Sequence, residues 1–232
     1  KEYIDNFVDY SLPTQMGLGN IPDSSITSDS DFFIMSDTQG IEVLNVHPNI
    51  EKLKLIMNVT FFDISEIARD NKLMGVSHCQ HEGIIRSKDF DYIFFIYPDF
   101  ICGAGVIGHA ISKLEEGFEA IACPVPRILM SCLEDIKFKK FVKDTSLGRT
   151  ISIPPRRLVE LSFDHYHPTL DGNFIDGEVK NVGLAYLQWK VNPKTWLLHC
   201  FHLHPLAIKV KDHLPEFRLK FNVSLDEEFF PN

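Results

Sequence analysis

The run Tyr92-Ile93-Phe94-Phe95-Ile96, which stops abruptly at Tyr97-Pro98-Asp99, constrains this chain more than any other segment. A strand with one wet face alternates apolar and polar residues, so an unbroken apolar run between polar turns reads as a strand covered on both faces. Units of the same kind flank it. Asp31-Phe32-Phe33-Ile34-Met35-Ser36 is a short apolar run followed by Asp37-Thr38-Gln39-Gly40 and a helical stretch to about His47. Leu53 to Phe62 reads as a second long strand, Asn71 to Lys88 as a helix, Asp91 to Tyr97 as a third strand and Phe118 to Cys123 as a fourth. Between the last two, residues 104 to 116 place Val106, Ile107, Ala110, Ile111 and Leu114 on one helical face and stop at Gly117. Strands alternating with helices at this spacing predict an α/β domain with a mostly parallel sheet and helices on both faces. After about residue 125 the rhythm changes to helices near 131–143 and 154–166, a Gly-rich stretch at 171–183 and β-like runs at 184–191 and 195–201, a mixed α/β extension.

The chain is long enough, at 232 residues, to bury a core without staples. Nothing approaches the ~18 consecutive apolar residues of a membrane span, and no secretory leader opens the sequence, so a cytoplasmic protein is expected. The five cysteines are an odd set with no CxxC pair, which argues against a disulfide framework and a zinc ribbon. The sequons at Asn58 and Asn222 carry no meaning without export. A net charge of −9 disfavours nucleic acid as a partner, because neutralising phosphates takes a basic surface. The chain opens on Lys1-Glu2-Tyr3 inside an apparent helix, so a further strand ahead of it is expected.

Three motifs carry chemistry. In open α/β sheets ligands sit beyond the carboxyl ends of strands, where Asp99 stands, although Asp99 also suits a turn or a helix cap. In Cys200-Phe201-His202-Leu203-His204-Pro205, His202 and His204 are two apart and face one side of an extended chain, and with a carboxylate they suit a divalent ion. Gly103-Ala104-Gly105-Val106-Ile107-Gly108 is a literal GxGxxG between strand and helix, but the following strand runs into Pro124-Val125-Pro126-Arg127 with no acidic residue for a ribose. The helix carrying His78, His81 and Arg86 offers a basic, imidazole-rich group that could face the same site. No P-loop occurs, and no serine, including Ser146, sits in a nucleophile elbow.

In their order these motifs resemble GT-A-type glycosyltransferases, particularly the bacterial enzymes of capsule and lipopolysaccharide synthesis. The likeness rests on Leu12-Pro13, Gly19-Asn20-Ile21-Pro22, the stretch from Tyr97 to Asp99 and Cys200 to Pro205, and covers roughly residues 1–125 and 196–228. It implies a Rossmann-like sheet, with residues 1–125 as a nucleotide-binding half that lacks its first strand and 126–232 as the acceptor-side, site-completing half of one domain. It further implies a nucleotide-sugar donor, a carbohydrate or lipid-linked acceptor and a Mn²⁺ or Mg²⁺ ion. Ser36 and Asp37 would lie near the nucleotide, with His78, Arg86 and Tyr97 also on the substrate. Asp99 would approach the diphosphate through the cation, completed by His202 or His204. Asp164, Asp226 and Glu227 are candidate bases by residue type alone. The acidic motif here is Tyr-Pro-Asp, with one carboxylate where the family has two. Rival readings are a nicotinamide-dependent oxidoreductase, a His/Asp metal hydrolase and a catalytically silent binding subunit.

Overall fold

A computed structural model of the chain describes residues 2–23, 27–68, 72–145, 148–168, 174, 186–192, 195–200 and 204–210. It opens with α1 (Glu2–Asn6), a π-helical turn (Phe7–Ser11) and α2 (Leu12–Gln15). The π turn has a local cause: Pro13 has no N–H to give one turn back, and the Leu12 N–H reaches the Phe7 carbonyl, five residues away. Phe7, Val8 and Leu12 join the main core with Ile34, Leu44, Ile50, Leu53, Ile107 and Ile111. Each such side chain, once fully buried, contributes about 1.5–3 kcal/mol.

Strands β1 (Asp31–Ser36) and β2 (Asn58–Asp63) pair in parallel from Asp31 opposite Asn58 to Ser36 opposite Asp63. Two helices join them. Asp37 caps α3 (Thr38–Asn45) by accepting the Gly40 N–H at 2.6 Å, and Pro48 opens α4 (Pro48–Leu53). Helices α5 (Ser65–Ala68) and α6 (Lys72–Arg86) lead to β3 (Tyr92–Phe94), and α7 (Val106–Glu115) leads to β4 (Ala120–Cys123). Beyond β4 come a 3₁₀ turn (Met130–Glu134), α8 (Ile136–Lys139), the antiparallel pair β5 (Val142–Thr145) and β6 (Gly148–Ile151), and α9 (Pro155–Asp164). Cys132, Leu133, Phe138, Ile151, Ile153 and Leu161 form a second core beneath them. A second antiparallel pair, β7 (Tyr186–Asn192) and β8 (Thr195–Cys200), precedes the last described strand, β9 (His204–Lys209).

The expectation of a mostly parallel, Rossmann-like sheet is overturned. Among the described strands β1 and β2 alone pair with each other in parallel, and β9 lies between β3 and β4, antiparallel to both. The physical reason is that the apolar run around Phe94 reports coverage, not direction. Ile93 and Phe95 are buried with Ile84 and Ile208 in a third core, a demand that an antiparallel neighbour meets as well as a parallel one. Two boundaries also move. Leu53 ends α4, so the second strand starts at Asn58, and the helix expected over 131–143 divides at Asp135, whose extended backbone and carboxylate cap α8.

Candidate functional site

Backbone pairing carries the tip of β3 one residue beyond the strand, where the Phe95 N–H donates to Leu206 O on β9 at 2.9 Å. There His204, 109 residues downstream, donates from Nε2 to the Phe95 carbonyl at 2.9 Å. Its ring lies 4.7 Å from both the Tyr97 and Phe100 rings, and those two meet edge-on at 5.1 Å. Asp99 stands exposed in the turn between them. The structure thus brings Asp99, Tyr97 and His204 to one place; His202, Asp226 and Glu227 lie outside the described residues.

The loop that presents Asp99 is held by fully buried polar side chains of the N-terminal helical segment and the turn that follows it. Ser11 Oγ reaches Tyr97 O at 3.5 Å, Cys102 N donates to Thr14 Oγ1 at 3.0 Å, and Asn20 Nδ2 donates to Gly103 O at 3.1 Å. From the other side Gln80 Nε2 donates to the Tyr97 hydroxyl at 2.7 Å. Gln80, Phe100 and Ser11 carry no sequence signal, since each is an ordinary residue in a helix or loop. A π turn abutting the loop fits the tendency of such turns to occur at functional sites.

The remaining candidates are placed elsewhere. Arg86 lies 4.1 Å from the Phe62 ring centre and 3.2 Å from Glu82, which also stands 3.8 Å from His78. Helical phase explains this: residues 78, 82 and 86 share a stripe that Gln80 does not. Asp37 is committed to capping α3 beside Ser36, at the end of β1. Next to them Asp63 accepts from Thr38 Oγ1 at 2.7 Å and from Ser65 N at 2.8 Å, and the Ser65 hydroxyl, foremost, holds its carboxyl below the usual range. Asp164 pairs with Lys137 of α8 at 2.6 Å.

The GxGxxG segment has a structural use. The amides of Ala104, Gly105 and Gly108 donate to Ile153 O, Leu18 O and Gly19 O at 2.8, 2.9 and 3.2 Å, and Ile107 N donates to Asn20 Oδ1 at 3.0 Å. A Cβ on Gly108 would stand 2.8 Å from Gly19 O. The chain itself thus fills the helix start where a dinucleotide pyrophosphate would need those N–H groups.

No group of three or more His, Cys, Asp or Glu side chains among the described residues could hold a metal ion. Asp99 supplies a single carboxylate, and the Nε2 of His204 is engaged by Phe95 O. The described residues therefore do not fit a resident metal centre. A shallow cleft of about 280 Å³ opens between α4 and the β5–β6 pair, lined by Asp9, Lys52, Asp144 and Arg149 and by none of the tip residues. No helix among the described residues is long and apolar enough to cross a membrane. The chain matches no family model, no curated protein and no solved structure.

Proposed function

We propose that this chain is a glycosyltransferase that moves a sugar from a nucleoside diphosphate donor to an acceptor hydroxyl on a carbohydrate or lipid-linked chain, as in surface polysaccharide synthesis. The supporting observation is the meeting of His204 with the Tyr97-to-Asp99 tip. Tyr97 and Phe100 are partly exposed, so their rings would supply apolar surface to a base or a sugar, beside the exposed carboxylate of Asp99. A hard cation such as Mg²⁺ or Mn²⁺ typically binds one or two carboxylates plus substrate phosphates, so it would enter with the donor and offset the diphosphate charge. The acceptor hydroxyl attacks the anomeric carbon as the nucleoside diphosphate leaves. Preorganised charge around the leaving group is the main contribution asked of the protein.

The test is a thermal-shift screen of the full chain against uridine, guanosine and cytidine diphosphates, with and without Mn²⁺ or Mg²⁺. One nucleotide is expected to raise the melting temperature, as any ligand selective for the folded state does. Asp99→Ala is expected to abolish that rise without changing the melting temperature of the free chain, because Asp99 is exposed. No shift from any nucleotide would end the proposal. The lone carboxylate of Tyr97-Pro98-Asp99 also favours a second reading, a nucleotide-binding subunit without turnover. A shift without sugar transfer to any acceptor would select it.

A further inference from the structure

Away from the β3 tip, Ser131, Asp135 and His165 meet where the 3₁₀ turn adjoins the end of α9. His165 Nε2 stands 2.8 Å from Asp135 Oδ2, and each side chain keeps 18% of its surface exposed. The other ring nitrogen, Nδ1, stands 3.4 Å from the Ser131 hydroxyl, and Ser131 is exposed. Backbone pairing sets this geometry: Leu129 N donates to His165 O at 2.7 Å, His167 N donates to Arg127 O at 3.0 Å, and Ile128 bridges Tyr166 between them. The second oxygen of Asp135 accepts the Lys137 N–H at 2.7 Å, which fixes the carboxylate. Hydrogen bonds, from His165 first and Lys137 next, hold that carboxyl below its usual range. An ionised carboxylate can only accept, so in the neutral imidazole Nε2 carries the proton and the Nδ1 lone pair faces the serine.

We propose that Ser131, His165 and Asp135 are the nucleophile, base and orienting carboxylate of a second site that cleaves carboxylic esters, independent of the glycosyltransferase reading. Such constellations are recognised by geometry and role, not by chain order, which is why the absence of a nucleophile elbow does not exclude one. The serine oxygen attacks the ester carbonyl while its proton passes to His165 Nδ1. The C–O bond to the alcohol then breaks, and the proton goes from His165 to the departing alkoxide. Water attacks the acyl-serine, gives a proton to His165 and releases the carboxylic acid, and that proton returns to Ser131. The 3.4 Å contact is loose, as such contacts often are before substrate binds. Because Ser131 lies open to water, which weakens electrostatic stabilisation, the site suits an ester with a stable alcohol or phenol leaving group and not an amide.

The experiment treats the full chain with an alkyl fluorophosphonate and with p-nitrophenyl acetate. The expected result is one phosphonyl adduct on the peptide containing Ser131 and hydrolysis with an acyl-enzyme burst. Ser131→Ala, which touches an exposed side chain, is expected to keep the melting temperature and lose both adduct and burst. His165→Gln is expected to slow hydrolysis by about 100-fold or more, the contribution of a positioned base. Should that variant unfold, Ser131→Cys replaces it as the probe of the base, its new thiol being expected to alkylate with a pH profile whose midpoint lies well below the ~8.5 of a free thiol. A folded parent with no adduct at Ser131, a Ser131→Ala chain hydrolysing at the parent rate, or a Ser131→Cys variant whose introduced thiol alkylates with the pH profile of a free thiol would overturn the proposal.

Discussion

Asn20 is fully buried and satisfies three backbone groups: its amide donates to Thr14 O at 2.9 Å and Gly103 O at 3.1 Å, and its carbonyl accepts Ile107 N at 3.0 Å. Asn20→Ala strands all three, at about 1–3 kcal/mol for each buried group left unsatisfied, so a loss of about 3 kcal/mol or more is expected in urea denaturation. A loss below about 1 kcal/mol would show that water replaces the side chain. The thiols make a second prediction at this scale. Burial pushes Cys102 up to about 12, and burial first, then the Asp135 charge, pushes Cys132 up to about 11. Both are expected to resist Ellman's reagent at pH 8 and to react at once on unfolding. In the unfolded chain a thiol ionises near ~8.5, so above that pH the unfolded state holds fewer protons than the folded one. Stability contributed by the thiols is therefore full below that point and falls as pH rises towards the folded values. Replacing Cys102 with Ala is expected to flatten the alkaline decline in the urea midpoint, and an unchanged slope would count against the burial argument.

Two glycines meet where the loop after α2 touches the start of α7. Gly19 has φ +73° and Gly105 φ +78°, and a Cβ on Gly19 would lie 2.8 Å from the Gly105 Cα. At Gly117, with φ +110°, a Cβ would meet nothing within 4 Å. Gly117→Ala is thus expected to cost only the strain of its backbone, about 1–3 kcal/mol, while Gly19→Ala adds a backbone clash and costs measurably more in parallel denaturation curves. Equal losses would mean that the loop shifts freely. At this scale the sequence is most legible. Asp31–Ser36 forms the expected strand, and α6, α7 and β4 fall inside the helices and strand read from apolar spacing. What escapes has identifiable causes. Strand β9 contains Pro205, which lacks the N–H a central strand needs; the structure places it opposite Ala122, where the ladder with β4 shifts register. The β5–β6 pair has four-residue strands too short to show alternation. In the candidate site, Asp99 and His204 can be read because charge and imidazole are rare at strand ends. The partnership of Gln80 with Tyr97 cannot, because it depends on the rotation of α6 about its axis.

The three-stranded antiparallel sheet depends on its last described strand. β9 supplies ladder partners to β3 on one side and β4 on the other, and its Leu206, Ala207 and Ile208 are buried. A chain ended at Cys200 is expected to lose its cooperative thermal transition and to associate, which circular dichroism and size-exclusion chromatography would detect. A monomer melting at the parent temperature would contradict the role given to β9. Joining His204 to Phe95, 109 residues earlier, and β9 to β3 beside them also implies slow folding, because the entropy of closing so long a loop precedes any contact that offsets it. For a polypeptide emerging amino end first from a ribosome, the order of arrival then matters. Both outer strands emerge well before the one that joins them, and in the interval their bare N–H and C=O rows can pair with any neighbouring chain. Synthesis rate and chaperone supply, more than the final stability of the fold, are therefore expected to govern how much of this protein a cell recovers intact.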